Sequence, residues 1–402
     1  MKKILLLGGS LYLLPVIEEA HRLGLYVITC DYLPDNIAHK YSDKYVNVSI
    51  IEKDLVLKKA IELNIDGIMS FACDQVVVTA AYVAEKMNLP SAGSLEAISV
   101  LQNKGKFRSF LRDNGFNVPN FKVYKDANAP LLESDFFQWP VIVKPTDSAG
   151  SKGVKRVDSK DCLREAIDNA IINSKSGEFI IEDFLEQKGY SSDCDSFSID
   201  GRMVFWGFNC QHFDKHANNP YTPSGYSWPT SISDKNINIL KSEIQRLLSL
   251  LNLKTSVYNV EVRECTNGKP YIMEFTPRGG GNRLSEMLEL GTGTSIIGNA
   301  VRAAVGLQLI PIVTHPMKDG LVEVILHSNE SGFFDSVIID DCIKDRVIEC
   351  KLWIKSGDIV GDFTGANKAI GTLVVQFDSK KEANCFAENV SKYVKIRLSK
   401  TL

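Results

Sequence analysis

The sequence predicts a chain of α/β and α+β character, in which a doubly wound parallel sheet is followed by mixed lobes. Strand and helix patterns alternate over residues 1–92, an apolar strand at Val141, Ile142 and Val143 runs into a glycine-bearing loop, and a hairpin pattern over 257–283 carries acidic residues. The 402 residues allow two or three domains of ~100 to 200 residues each, and a hydrophobic content of 44% suffices for their cores.

Residues 3–9, KILLLGG, read as a buried parallel strand entering a glycine turn, and 13–23 continue as an amphipathic helix. A strand over 25–30 ends at Asp31; a helix (54–63), a strand (66–71), a helix (75–87) and a turn at Pro90 follow. Such alternation makes residues 1–92 a Rossmann-like N-terminal domain. Two short helices between 94 and 114 meet near Lys104. Strands at 121–124 and 139–144, the glycine loop, a strand ending near Val157, a helix to Asn173 and a strand at 178–183 form a small α+β lobe over about 121–190. Residues 192–210 alternate like a hairpin around Asp200-Gly201, and Ile237, Leu240, Ile244, Leu247, Leu248 and Leu251 give 234–251 a helical period. Past Ile310, strands at 321–326, 347–353 and 369–377 and a helix at 381–390 read as a separate C-terminal α+β lobe closing one side of the molecule. The expected domains run 1–92, 93–310 and 311–402.

Composition narrows the function. A net charge of −3 leaves no basic excess for nucleic acid. Nine cysteines without a C-x-x-C pair fit free thiols in a reducing cytosol, without disulfides or a zinc knuckle. The N-terminus imitates a signal peptide, but Gly8-Gly9-Ser10 interrupts its apolar run, Glu18-Glu19 follows, and no small-residue cleavage site appears. No other segment nears the ~18 apolar residues of a membrane span. A cytoplasmic protein acting on small molecules is expected.

The chemistry concentrates in two stretches. PVIVKPTDSAGSKGV, residues 140–154, delivers Lys144 at a strand end, and the loop from Ser148 through Gly150 and Ser151 to Gly153 is small enough for backbone N–H groups to close on anionic oxygens. A Gly/Ser loop is more often a plain hairpin turn, and this one is neither a Walker loop nor a G-x-G-x-x-G fingerprint. The second stretch, residues 257–283, places Glu261 and Glu274 on two strands joined at Asn267-Gly268. Carboxylates facing each other are costly, and Mg²⁺, which takes one or two and fills its octahedron with phosphate oxygens and water, relieves them; a surface glutamate paired with lysine is the plainer alternative. Arg278 suits bidentate recognition of carboxylate or phosphate, and Gly279-Gly280-Gly281 leaves room for a ligand.

Taken in order, these motifs resemble the ATP-grasp superfamily, most nearly its branch with biotin carboxylase, carbamoyl phosphate synthetase and the purine-pathway ligases, over roughly residues 1–310. Asn103-Lys104 looks like the family's Asp-Lys step, VIVKP places Lys144 as a second ATP lysine, and Ser148 to Gly153 looks like its mobile loop. IIEDFLE, 180–186, is similar to the segment that clamps adenine, which implies cofactor-binding roles for Glu182, Asp183 and Leu185. Glu261 and Glu274 stand where the family holds magnesium, with Mn²⁺ as a substitute, and Arg278 where an E-x-N-P-R motif puts its arginine. Here Thr276 replaces the asparagine ligand, and Lys188-Gly189-Tyr190-Ser191 leaves the ribose contact unassigned. The resemblance implies an ATP-dependent ligase joining a carboxylate to an amine through an acyl phosphate, with Lys144 and Arg278 catalytic.

Rival readings stand beside it. A bicarbonate-phosphorylating subunit fits the same site, although no biotinyl-lysine or glutamine-hydrolysing motif is present. The first strand, glycine turn and Asp31 have the layout of a nicotinamide site, but Ser10-Leu11-Tyr12 supplies no third glycine. His212 and His216 would bind zinc only on a helix, and the prolines and asparagines of 212–230 make that stretch a long loop, a candidate binding lid. Cys73 has no partner base, and Asp74 reads as a helix N-cap. A homodimer is compatible with all of this.

Overall fold

The computed structural model describes residues 1–400. Its first sheet is parallel, in the order β3-β2-β1-β4, built from β1 (Lys3–Leu7), β2 (Tyr26–Asp31), β3 (Lys44–Asn47) and β4 (Gly67–Ser70). The continuous apolar run of β1 is buried on both faces: Ile4 and Leu6 enter one core, Leu5 and Leu7 the other. Helices Leu14–Arg22, Lys53–Leu63 and Val77–Met87 follow β1, β3 and β4. The edge strand β3 has no counterpart in the expected elements, because KYVN is short and buries only Val46. The glycine turn after β1 is filled, since a Cβ on Gly9 would lie 2.6 Å from both Asn36 and His39.

Helices Leu95–Gln102 and Lys104–Asp113 lead into an antiparallel sheet ordered β5-β8-β6-β7, formed by β5 (Phe121–Tyr124), β6 (Val141–Pro145), β7 (Lys155–Val157) and β8 (Phe179–Asp183). Helix Leu163–Ile172 packs Leu163, Ala166, Ile167 and Ala170 onto Val141, Val143, Phe179 and Ile181. The third sheet, β10-β9-β13-β14, is antiparallel and comprises β9 (Ser192–Ile199), β10 (Arg202–Trp206), β13 (Ser256–Glu264) and β14 (Pro270–Thr276). Helix Asp234–Leu250 covers one face of it through Leu240, Ile244, Leu247 and Leu248. The opposite face carries the polar residues described below.

Two expectations fail here. Residues 212–230 are not one long loop: β11 (Cys210–Phe213) and β12 (Pro223–Trp228) pair antiparallel, and only the segment between them is irregular. Burial of four consecutive residues, Gly225 to Trp228, with Tyr226 and Trp228 in one core, outweighs the flanking prolines. Nor is the segment past Ile310 separate. β12 pairs with β15 (Leu321–Leu326), so one sheet, β11-β12-β15-β19-β17, joins residues from both sides of the expected boundary, with β17 (Val347–Leu352) and β19 (Gly371–Gln376) completing it. A small sheet of β16 (Gly332–Ile339), β18 (Ile359–Val360) and β20 (Val394–Ser399), with helix Lys380–Glu388, closes that end.

Candidate functional site

Strand register creates the site. On the polar face of the third sheet, Asp193 of β9 stands opposite Glu261 of β13, which stands opposite Glu274 of β14. One pleat along, Asp195, Asn259 and Thr276 form a second row. Register partners share a face, so six polar side chains meet there. Asn259 Nδ2 donates to Asp193 Oδ1 at 2.8 Å and to Asp195 Oδ1 at 3.3 Å. Asp195 also accepts from Ser285 Oγ at 2.5 Å and the Gly280 N–H at 2.7 Å. Burial pushes the Asp193 carboxyl up to about 7, and Glu261 adds to the rise.

The pair Glu261 and Glu274 is asymmetric. Burial pushes the Glu261 carboxyl up, which Arg263 at 3.3 Å offsets only in part, and Glu274 pushes it further. Burial acts on Glu274 in the same sense, but Lys104 and Lys144 outweigh it and hold that carboxyl below its ordinary value. Nearly half of the Glu274 side chain, 47%, faces the open cleft, so it is the acid a ligand can reach.

The neighbouring β6-β8 pair supplies the cations. Lys144 leaves β6 buried, and its Nζ lies 2.7 Å from Glu182 Oε2 of β8, whose Oε1 takes Arg108 Nε at 2.7 Å. Burial opposes the charge on Glu182, yet its two cations hold it at about 2. Burial pushes the Lys144 ammonium down, Glu182 works against that, and the like charges of Arg108 and Lys104 add to the lowering. One carboxylate between two cations is well served; the lysine, crowded by like charge, is the partner an added anion would favour. Lys104 opens helix Lys104–Asp113, whose N-cap Asn103 accepts from the Lys106 N–H. Its Nζ reaches the Ser148 carbonyl at 2.9 Å and Glu274 Oε1 at 3.2 Å. A cavity of ≈ 210 Å³ between these groups is lined by Asp74, Lys104, Ser148, Lys175, Glu274 and Thr276.

The glycine loop is anchored at its root. Asp147 accepts from Ser174 Oγ and from the Lys175 and Ser176 N–H groups. Gly150, Ser151 and Gly153 have φ of 67°, 58° and 73°, and the Ser151 hydroxyl donates to the Tyr221 carbonyl at 3.3 Å.

Both carboxyl oxygens of Glu182 are engaged in the buried Arg108–Lys144 network. Asp183 Oδ1 accepts the Gln138 N–H, and Leu185 lies half-buried beyond it. Asp74 is no N-cap: its Oδ1 accepts Arg278 Nε at 2.9 Å and Nη2 at 2.6 Å, linking the first sheet to the acid rows. The glycines after Arg278 serve packing more than ligand access. A Cβ on Gly279 would fall 2.1 Å from the Phe71 ring, and one on Gly280 within 2.9 Å of Leu284, Asn259 and Asp195. His212 is a buried strand residue 2.8 Å from Ser227 Oγ, and burial pushes its imidazole down to about 4. Thr276 sits one pleat from Glu274 and accepts from Gln102 Nε2 at 3.3 Å.

Sequence reasoning missed Arg108, Asp193, Asp195 and Asn259. The alternation of Asp193 and Asp195 was a usable signal, because acids two apart on a strand share a face. Arg108 gave none, since its partner lies 74 positions away.

Among the described residues no three acidic, histidine or cysteine side chains converge as a ready-made metal cage. Two facing carboxylates with an open cleft nonetheless fit Mg²⁺ or Mn²⁺, which keep water and phosphate in most of their coordination positions.

Residues 137–286 match the model of the ATP-grasp domain family. The chain is 26% identical over 289 residues to the carbamoyl phosphate synthase large chain of Pseudothermotoga lettingae, a match spanning 71% of this chain and 26% of that one. It is 30% identical over 191 residues to the formate-dependent phosphoribosylglycinamide formyltransferase of Prochlorococcus marinus, spanning 46% of this chain and 48% of that one. The chain thus spans about a quarter to a half of these relatives' length. Two solved structures are similar in fold over 99% of the chain: an L-amino acid ligase from Bacillus licheniformis (TM-score 0.79, 21% identity, 99% of that chain) and a phosphoribosylglycinamide synthetase from Anaerococcus prevotii (TM-score 0.76, 20% identity, all of that chain). Residues 137–286 are thus similar to ATP-grasp domains, and the chain's sequence relatives include carbamoyl phosphate synthase and a formate-dependent phosphoribosylglycinamide formyltransferase.

Proposed function

We propose that this chain is an ATP-dependent ligase that joins a carboxylate to an amine through an acyl phosphate. The observation that carries the reading is the direct opposition of Glu261 and Glu274, flanked by Lys104 and Lys144 on one side and by Arg278 on the other. Glu261 and Glu274 would hold Mg²⁺ (or Mn²⁺), with Thr276 at the rim, and the ion would supply positive charge against the phosphates of ATP. Lys104 and Lys144 orient those phosphates, the Ser148–Gly153 loop covers them with Gly150 and Ser151 at its tip, and the segment through Asp183 and Leu185 borders the base. Arg278 holds the acid substrate. A carboxylate oxygen attacks the γ-phosphorus, the bond to the bridging oxygen breaks, and ADP leaves with that electron pair. The amine nitrogen then attacks the acyl carbon, phosphate departs with the carbon–oxygen electrons, and the nitrogen loses a proton.

In this reading residues 1–92 are a Rossmann-like domain preceding an ATP-grasp domain that begins near residue 93 and shares a sheet with the residues past Ile310, and the protein works in the cytoplasm, as a homodimer or alone. No helix among the described residues is long and apolar enough to cross a membrane. The alignment with carbamoyl phosphate synthase favours a second reading, in which bicarbonate is the acid. A nicotinamide site is disfavoured by the side chains that fill the Gly9 turn. Thermal shifts separate these classes, because a ligand that binds only the native protein stabilises it. ATP with Mg²⁺ should raise the midpoint and NAD should not; the reverse overturns the proposal. ADP release across pooled carboxylic acids and amines, with bicarbonate as a separate arm, then identifies the acid class.

A further inference from the structure

The sheet β11-β12-β15-β19-β17 ends on two strands of opposite character. β11 is buried through Cys210, Gln211 and His212, whereas β17 pairs only with β19 among the described residues and leaves its other side open. Ile348, Cys350, Lys351 and Leu352 are all exposed. The strand is nonetheless held firm from behind: Glu349 Oε1 takes Arg283 Nη1 at 2.5 Å, and the Trp353 ring stands edge-on to Tyr12 with centroids 6.0 Å apart. A firm edge with unpaired N–H and C=O groups is a template for another strand unless something guards it. A charge is a common guard, but Lys351 here has its opposite, Glu349, two residues away.

The edge Val347-Ile348-Glu349-Cys350-Lys351-Leu352-Trp353 reads as its own complement when reversed. Residues directly opposed in an antiparallel pair turn their backbone groups toward each other or away together, so a strand that pairs with its own copy about a twofold axis must be centred on a residue, never between two. Centring on Glu349 sets glutamate against glutamate, and centring on Lys351 sets lysine against lysine, both unfavourable. Centring on Ile348 or Leu352 keeps at most three residues of the strand in the pair, against five for Cys350. About Cys350, Glu349 faces Lys351 on both sides of the axis, and Ile348 faces Leu352. The bulge at Ile348, where the register with β19 steps between Val347 and Glu349, lies outside the three central pairs. Beside Arg283, Glu349 keeps 42% of its side chain exposed, and Lys351 forms no ion pair among the described residues, so both charges are available.

We propose that β17 is the seam of a homodimer, in which two copies of this chain pair antiparallel about a twofold axis at Cys350, with Glu349 of each facing Lys351 of the other. The two sheets become one continuous sheet, and the contact closes on itself rather than growing into a filament. This stands apart from the ligase reading and needs neither nucleotide nor metal.

Sedimentation equilibrium of the full chain over a range of concentrations should show a reversible equilibrium between monomer and dimer. Lys351→Glu sets four glutamates around the axis and should weaken the dimer about tenfold or more. Its circular dichroism should match the wild type, because Lys351 forms no ion pair within its own subunit. Glu349→Lys should weaken the dimer as well, and an equal mixture of the two variants should recover a heterodimer, since every glutamate then faces a lysine. Directly opposed Cα atoms lie about 4.5 to 5.5 Å apart, within the span of a disulfide. Diamide, which takes up two electrons and two protons as two thiols join, should therefore link wild-type copies through Cys350, read by mass spectrometry as a Cys350-to-Cys350 peptide. If Glu349→Lys fails to fold through loss of its Arg283 contact, Lys351→Glu and the cross-link still decide. A chain that stays monomeric at every concentration, a dimer indifferent to Lys351→Glu, or one cross-linked through other cysteines alone overturns the inference.

Discussion

Replacing Glu182 by glutamine removes the carboxylate held between Arg108 and Lys144 while keeping its shape. Both cations stay where they are, 2% and 10% exposed at the side chain, and lose their shared counter-charge. The Glu182 carboxyl is held at about 2 against an ordinary 4.5, and at ~1.36 kcal/mol per pH unit that gap amounts to about 3 kcal/mol of native stability. Breaking a buried ion pair by removing one partner costs ~3 to 5 kcal/mol, the same scale reached from a different direction. Because the folded value is depressed, this stability is present above pH ~4.5 and is lost as pH falls toward ~2. Hydrogen exchange of the β6 and β8 amides, followed by mass spectrometry at several pH values, reads the opening of this lobe without requiring the whole chain to unfold in one step. Glu182→Gln should ease that opening by about 3 kcal/mol at pH 7, and the difference from wild type should shrink on acidification below pH ~4.5. A loss under ~1 kcal/mol at pH 7, or one that does not change with pH, would refute the picture of a buried carboxylate holding two cations.

Lys144→Ala should weaken ATP binding by about tenfold or more by isothermal titration, while Glu182 keeps Arg108 and the circular dichroism spectrum is retained. Residues 148–153 should exchange amide hydrogens quickly in the free protein and slowly with ATP and Mg²⁺; equal, high protection in both states would count against a closing loop. Glu274→Gln should abolish ADP formation yet retain much of the nucleotide affinity, because the two lysines remain; full turnover by that protein would remove Glu274 from the metal site. Thr276→Asn should preserve or improve the response to Mg²⁺, since the side chain already lies one pleat from Glu274.

How much of this was legible beforehand depended on the range of the interactions. The parallel sheet of β1, β2 and β4 was readable because a strand buried on both faces must be a continuous apolar run, and KILLL is one. That Glu261 and Glu274 lie near each other on paired strands was readable from the turn at Asn267-Gly268, but their direct opposition was not, because the register of Arg263 with Tyr271 and Val262 with Ile272 shifts by one residue before Glu261 meets Glu274. β11 and β12 were not, since Pro220, Pro223 and Gly225 suggest irregular chain and only pairing with β15, a hundred residues on, makes them strands. Likewise Asp74 and Arg278 looked like a cap and a surface arginine until the fold brought them to 2.6 Å. Local patterns carry elements and hairpins; partners distant in sequence carry the electrostatics of the site.

The central claim, that the reaction passes through an acyl phosphate, is tested most directly by following oxygen. Pooled carboxylic acids labelled with heavy oxygen in the carboxyl group are incubated with the protein, ATP, Mg²⁺ and pooled amines, and the released phosphate is analysed by mass spectrometry. If a carboxylate oxygen attacks the γ-phosphorus, each amide formed leaves one labelled oxygen in the phosphate, and ADP appears in equal amount. Release of ADP with unlabelled phosphate, or of AMP in place of ADP, would contradict the account.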